Sequence, residues 1–266
     1  MAAERWTAEI NTDVAHPARM YDYYLGGKDN FPADREAADQ ALAASPAVRD
    51  MARQNRAFLQ RVVRFLARDA GIRQFIDIGA GLPTQGNVHE IAQAITPDAR
   101  VVYVDNDPIV VVHSDALLAG HNTTAIKADL REPNVILEHP EVREVIDLDQ
   151  PVAVLLVAVL HFLQDADDPV GVVARLRDAM AAGSYLAISH GTSDLPRAQP
   201  QVAAKVLRAY QRTSAPVVLR SRAQIERFFD GFELVDPGLV QIQGWRPDGP
   251  VPDVAGGIYG GVARKR

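Results

Sequence analysis

Residues 75–87 read FIDIGAGLPTQGN: a short apolar run that ends in glycine, a second glycine two residues on, then a helical stretch near NVHEIAQAI. Gly79 and Gly81 follow a strand pattern and precede a helix pattern. Glycines there let the backbone turn sharply and approach a ligand closely. The spacing is the G-x-G opening of a nucleotide fold, but Thr84 stands where the full G-x-G-x-x-G pattern has its third glycine. Alone the pair is a weak signal, since glycines in this place also serve as plain turns.

The rest of the chain supplies the context. VVYVDND (101–107), TTAIKAD (123–129), PVAVLLVAVL (151–160) and SYLAIS (184–189) are further apolar runs. Helical stretches alternate with them, at NVHEIAQAI, PIVVVHSDALLAG and DPVGVVARLRDAMAAG. Alternation of this kind predicts βαβ units, and runs apolar on both faces predict a parallel sheet covered on both sides. FELVDPGLVQI and GGIYGGVARKR read as a closing strand pair. Upstream, residues 16–70 read as helical. In SPAVRDMARQNRAFLQRVVRFLARDAG, Ser45 can cap, Pro46 suits the first turn, and Gly71 can stop the helix. Val48, Met51, Phe58, Val62, Phe65 and Leu66 mark its apolar face. We therefore expect one α/β unit: an N-terminal helical cap over 1–70, whose first 15 residues are loosely held, and a sheet domain over 71–266 with a polar helical insertion at about 192–215.

Composition bounds the function classes. The 266 residues include 47% hydrophobic and 23% charged, ordinary for a globular chain with a real core. A formal net charge of -6 argues against a nucleic-acid partner. With no cysteine, disulfides, thiolate metal sites and cysteine nucleophiles are excluded. MAAERWTAEINTD lacks the basic and apolar regions of a signal peptide, and PVAVLLVAVLHFL is too short to cross a bilayer. The expectation is a soluble, cytoplasmic protein with no membrane association.

Three acidic residues sharpen the glycine signal. Asp77 sits two residues before Gly79, where it would repel a pyrophosphate and attract an ammonium group. S-adenosylmethionine (SAM) carries an amino group and a sulfonium, and no phosphate. Asp105 closes the second strand, where a carboxylate can accept both ribose hydroxyls. Asp129 closes the third, where it could accept from an adenine amino group. The alternative is that surface loops are simply rich in aspartate.

DIGAGLPT, VVYVDNDP and KADLRE resemble the first three motifs of class I SAM-dependent methyltransferases. NTDVAHPARMYDYYLGGKDNFPADREAA (11–38) is similar to the N-terminal signature of an actinobacterial family of such enzymes, first catalogued as a domain of unknown function. The resemblance runs through nearly the whole chain. It implies a Rossmann-like sheet of seven strands, mostly parallel with the last antiparallel, and SAM as cofactor. It also implies that Asp77, Gly79, Ala80 and Gly81 frame the methionine part of SAM, that Asp105 and Asn106 meet the ribose, and that Asp129 and Leu130 meet the adenine. Val157, Ala158 and His161 would pass near the methionine moiety and the methyl. The Asn-Pro-Pro-aromatic tetrapeptide of amino-methylating DNA and glutamine enzymes is missing, which leaves a small-molecule acceptor of unknown identity.

YDYYLGGKDNF (21–31) then reads as part of a lid. Tyr21, Tyr23 and Tyr24 would cover SAM, Gly26 and Gly27 would turn the chain back, and Arg19 and Asn30 would reach the cofactor carboxylate or a substrate. Core packing between cap and sheet is the alternative. Tyr24 and Lys28 fit the Tyr-x-x-x-Lys pair of short-chain dehydrogenases, but they precede the nucleotide strands and enclose two glycines. His161 and His190, near strand ends, are weak candidates for a catalytic base, and a structural role suits each better. His16, His89, His113, His121 and His139 lack metal-like spacing, so no metal is expected. Two other readings remain: a non-catalytic SAM-binding sensor, and an NAD-dependent oxidoreductase, which Asp105 suits and Asp77 does not.

Overall fold

In a computed structural model of the chain, residues 11–83, 86–117, 122–194, 200–251 and 257–266 are described, except for the side chains of 113–117 and 200. The expectations for residues 1–10, Thr84, His121, the His113 side chain and residues 195–199 of the insertion lie outside them.

Among the described residues, three helices come first: α1 (Pro17–Leu25), α2 (Pro32–Ala44) and α3 (Ala47–Arg68). Gly26, at φ 84, closes α1 in the left-handed conformation that glycine adopts without strain. Ser45 was expected to cap α3, but it ends α2, and Pro46 precedes α3 without a side-chain cap. The reason is the tightness of the junction: two residues separate the helices, so Ser45 is held as the end of α2, with its N–H on the Ala41 carbonyl, and Pro46 takes the position before α3.

The alternating region then unfolds in chain order. β1 (Gln74–Ile78), α4 (Val88–Ile95), β2 (Arg100–Asp105), α5 (Pro108–Leu117) and β3 (Thr123–Lys127) lead to two short helices, α6 (Pro133–Glu138) and α7 (Pro140–Val145). β4 (Ala153–Val157), α8 (Pro169–Ala179), β5 (Tyr185–Gly191) and α9 (Pro200–Tyr210) follow. α10 (Arg222–Glu226), β6 (Phe232–Leu234), β7 (Val240–Gln241) and β8 (Ile258–Lys265) close the chain. The sheet order is β3-β2-β1-β4-β5-β8-β6, with β7 also pairing β8. β1 to β5 are parallel, and β8 is antiparallel to β5. The expected α/β sheet with an antiparallel last strand is borne out. The eighth strand arises because FELVDPGLVQI breaks into β6 and β7.

Side-chain alternation divides the sheet into two faces. Ile76, Ile78, Val102, Val104, Val154 and Leu156 pack one way, against α6, α7 and α8. Phe75, Val101, Tyr103 and Leu155 pack the other way, against Phe58, Leu59, Val62 and Leu66 of α3. Burial of each such side chain contributes about 1.5–3 kcal/mol. Asp77 and Asp105 share the parity of Phe75 and Tyr103, so both rise on the α3 side at the carboxyl ends of their strands. A third, smaller core joins α1, α2 and α3 to α9 through Met20, Tyr24, Ala38, Ala41, Ala52 and Ala209.

Candidate functional site

A cavity of about 330 Å³ opens over the carboxyl ends of β1, β2 and β4, beneath α1, α3 and α9. That volume falls in the range of small-molecule sites.

The turn after β1 forms one wall. The Gly79 and Ala80 N–H groups donate to the Val104 carbonyl at 2.8 and 3.2 Å, which docks the turn on β2. Gly79 has φ 74, and the Val159 side chain occupies the space a Cβ would need, so glycine is required twice over. Gly81 donates its N–H to Asp105 Oδ2 at 2.9 Å, and the other Asp105 oxygen accepts from the Asp107 N–H at 2.9 Å. The Asp105 carboxylate is buried and its pKa is raised, by burial above all. Asp77 is buried as well. Burial pushes its carboxyl up to about 7, with the Arg56 charge pulling it down and Asp105 pushing it further up.

The loops after β3 and β4 form the opposite wall. Asp129 accepts a bidentate pair from Arg131, at 2.9 and 2.6 Å, and a longer bond from Asn106 at 3.4 Å. Burial raises the Asp129 carboxyl, but the Arg131 bonds and charge outweigh it and hold it below the usual range. Leu130 lies beside it in the cavity wall. Ala158 stands in the left-handed region at φ 57, uncommon for a residue with a Cβ. A buried chain of bonds holds it there. Its N–H donates to Ser189 Oγ at 2.9 Å, Ser189 Oγ donates to Asn55 Oδ1 at 2.6 Å, and Asn55 Nδ2 donates to the Tyr21 hydroxyl at 3.1 Å. One polar relay thus ties α1, α3, β5 and the loop after β4.

The far end is apolar. Val48 and Met51 of α3, Phe162, and Val206 of α9 line it. Tyr210 of α9 donates its hydroxyl to that of Tyr24 on α1 at 3.1 Å, joining the two roof helices.

Of the residues expected at the site, Tyr24, Asp77, Gly79, Ala80, Gly81 and Asp105 line this cavity, as do Asn106, Asp129, Leu130, Val157, Ala158 and His161. Arg19, Gly27 and His190 do not. Arg19 is buried under α1, where Nε donates to Asp107 at 2.9 Å and Nη1 lies 3.6 Å from Asp34. Carboxylates 88 and 15 residues away claim it. Gly27 packs on the Asp22 carboxylate. Asn30 donates to that same carboxylate at 2.8 Å, and Tyr23 turns outward to Asp39.

His190 is a structural residue. Nδ1 donates to the Gly191 carbonyl at 2.7 Å and Nε2 accepts from Arg220 at 3.0 Å. Burial, opposed by the Gly191 bond and aided by the Arg220 charge, lowers its pKa to about 4. His161 is half-buried, and its Nδ1 accepts from the Gly191 N–H at 3.4 Å. Burial, His190 and Arg220 hold it neutral, well below the ordinary range. Its proton therefore sits on Nε2, and in this tautomer it donates rather than accepts there.

Arg56 and Asn55 are lining residues that strand-end reasoning missed. A signal existed: both lie on the stripe of α3 that includes the buried Ala52, Leu59 and Val62, where polar residues are out of place. Among the described residues, no three His, Asp or Glu side chains group as metal ligands, and no helix is long and apolar enough to cross a membrane.

Residues 3–266 match the sequence profile of a family described as S-adenosyl methyltransferase. A crystal structure of a DUF574 family protein from Streptomyces avermitilis is 47% identical, with TM-score 0.91, covering 96% of this chain and 99% of that one. A crystal structure of a proposed methyltransferase from Thermobifida fusca is 45% identical, with TM-score 0.89, covering 96% of this chain and 97% of that one. Mitomycin 7-O-methyltransferase, at 19% identity and TM-score 0.53, covers 100% of this chain and 67% of its own, and shares the fold. No curated protein matches the chain.

Proposed function

We propose that this chain, which belongs to the S-adenosyl methyltransferase family and carries out SAM-dependent methyl transfer, acts on a small, largely apolar acceptor held between α3 and α9. The observation that carries this is the division of one cavity into two chemistries. Asp77 and Asp105 stand at one end; Val48, Met51, Phe162 and Val206 line the other, under the joined hydroxyls of Tyr24 and Tyr210.

The donor set fits SAM. Asp77 supplies a buried acceptor for an ammonium group, while Asp105, Asn106 and Asp129 supply acceptors and an amide for ribose hydroxyls and adenine. Among the described residues, the start of α4 beyond the glycine turn is closed by Glu90, whose carboxylate accepts from the Gly86 and Asn87 N–H groups, where a dinucleotide site would seat its pyrophosphate. SAM brings an electrophilic methyl on its sulfonium. The chain's residues do the rest: they orient the two reactants and exclude water. The Ser189–Asn55–Tyr21 relay holds the Ala158 backbone in place beside the reacting groups, and His161 offers Nε2–H as an orienting donor. The helices of 1–70 and the segment 192–215 act together as the roof, and 71–266 as the SAM-binding domain. The same reading extends to a cytoplasmic setting and to an actinobacterial one, the latter supported by the Streptomyces and Thermobifida relatives.

The test is to incubate the full chain and methyl-labelled SAM with the small-molecule fraction of a cell extract and, separately, with its protein and nucleic-acid fractions. Label in small molecules is expected; label only in macromolecules overturns the reading. Exchanging residues 200–210 for the corresponding segment of a relative should change acceptor preference and leave S-adenosylhomocysteine affinity unchanged. A folded exchange variant that no longer binds S-adenosylhomocysteine overturns the assignment of α9 to the acceptor end.

A further inference from the structure

Among the described residues, the tyrosines lining the cavity are Tyr21, Tyr24 and Tyr210. A tyrosine hydroxyl has one proton to donate and lone pairs that accept, so each proton can be followed to its partner. Tyr21 is settled. Its hydroxyl donates to the Ala52 carbonyl at 2.8 Å and accepts from Asn55 Nδ2 at 3.1 Å. Tyr24 and Tyr210 are not settled. Their oxygens lie 3.1 Å apart and share one bond. Two hydroxyls bring two protons, and one bond between them uses one. Whichever way that bond runs, one O–H is left over; with Tyr210 donating, it is that of Tyr24.

Among the described residues, no group accepts this proton. Asp39, whose charge reaches Tyr24, takes the Tyr23 hydroxyl at 3.0 Å instead. The small core behind Tyr24 presents Met20, Ala38 and Ala41. The cavity wall at this end presents Val48, Met51, Phe162 and Val206, and the Phe162 ring lies 6.4 Å from that of Tyr210. Tyr24 is 2% exposed, and a buried O–H without a partner is unfavourable. Burial raises both phenols, Tyr210 to about 12, so each keeps its proton at physiological pH. The pair is therefore a donor, set in an apolar wall and facing the space a substrate would fill.

Resting on the reading that the methyl acceptor lies between α3 and α9, we propose that the Tyr24–Tyr210 pair is a specificity-determining donor that selects a substrate carrying a neutral oxygen, a carbonyl or an ether, on an apolar body. The oxygen accepts the leftover proton and completes a chain that runs from α9 through α1 to the substrate. A hydrocarbon of the same shape leaves the O–H unpaired and is disfavoured, since a site built to hydrogen-bond its ligand rejects the analogue that lacks the partner. A carboxylate would be stripped of water against Val48, Met51, Phe162 and Val206, which offer it no charge in return.

The experiment is ligand-observed NMR titration of the full chain, saturated with S-adenosylhomocysteine. The probes are acetophenone and anisole, the hydrocarbons α-methylstyrene and ethylbenzene of matching shape, and benzoate. Val206→Trp fills the apolar end and so identifies the probes bound there. Wild type should bind the ketone and the ether about fivefold or more tighter than their hydrocarbons, as one net hydrogen bond provides. In the Tyr24→Phe, Tyr210→Phe double variant this preference should fall below about twofold, with hydrocarbon and S-adenosylhomocysteine binding unchanged, which also shows that the variant is folded. Each single variant keeps one hydroxyl with its proton and should keep part of the preference. The carbonyl stretch of isotope-labelled acetophenone should lie lower when bound to wild type than when bound to the double variant, a change that lost packing would not produce. No preference in wild type, or a preference that survives in the double variant, overturns the role of the pair. Benzoate bound tighter than acetophenone overturns the neutral class. Probes that ignore Val206→Trp, or none bound beside S-adenosylhomocysteine, overturn the apolar-substrate reading beneath it. A chain that does not bind S-adenosylhomocysteine overturns the cofactor assignment instead.

Discussion

Asp77 shows how one buried group can trade stability for binding. Its carboxyl holds a proton up to about pH 7 in the folded chain, whereas an unfolded aspartate loses its proton near pH 4. Between those values the folded state binds more protons, so stability from this group is full below about pH 4 and is lost as pH rises toward 7. Asparagine cannot ionise. Asp77→Asn should therefore melt higher than wild type by several degrees at pH 8, at about 2–4 °C per kcal/mol, and the gap should shrink at pH 5. SAM affinity of the same variant should fall by tenfold or more, through loss of a charged partner. Scanning calorimetry and titration at both pH values check the pair; a gap that does not widen with pH refutes the ionisation argument. His190 and His161 act in the opposite sense. Their lowered pKa values mean that the unfolded chain takes up protons first, so stability is lost as pH falls below about 6.5. The wild-type curve alone mixes these contributions, and only the difference between variant and wild type isolates Asp77.

At the scale of elements, α1 and α3 are held by buried arginines. Arg19 joins α1 to the turn after β2 and to α2, through Asp107 and Asp34. Arg61 fastens α3 to the segment after β7 by donating to the Trp245 and Ile242 carbonyls at 2.9 and 2.6 Å. Removing one partner of such a group strands the other charge in the interior. Arg19→Met should cost about 3–5 kcal/mol, read as a lower urea midpoint, even though Arg19 lies off the cavity. A loss under about 1 kcal/mol contradicts its burial. These arginines also mark where sequence reading stopped. The acids at the ends of β1, β2 and β3 were legible because a strand end and its following turn are local, and the glycines beside them have a local reason to exist. Whether Arg19 or Arg56 lines the cavity depends on groups from distant segments. Asp107 is 88 residues from Arg19, and no periodicity within a helix reports that distance.

For the whole molecule, the alternating strands and helices were legible because each apolar run is long enough to show both of its faces. α6 and α7 escaped notice. Each has six residues and opens on proline, too short for a helical period to emerge. The break between β6 and β7 escaped for a similar reason, since β7 has two residues. The roof was legible as helices but not as an assembly. α9 joins α1 and α2 through a small core of alanines and tyrosines, and pairing between segments so far apart is a tertiary fact.

β8 comes last of the eight strands in chain order, yet it lies inside the sheet, between β5 and β6. On a ribosome, β1 to β5 can assemble as they emerge, but β6 and β7 have nothing to pair with until β8 appears. Gly260 of β8 also packs against Phe58 of α3 and Ile242, so the cap helix cannot settle fully before then. At typical elongation rates the nascent chain exposes an open β5 edge for on the order of ten seconds. Through that interval the half-made protein offers seven residues of bare backbone to any neighbouring strand, its own or another's.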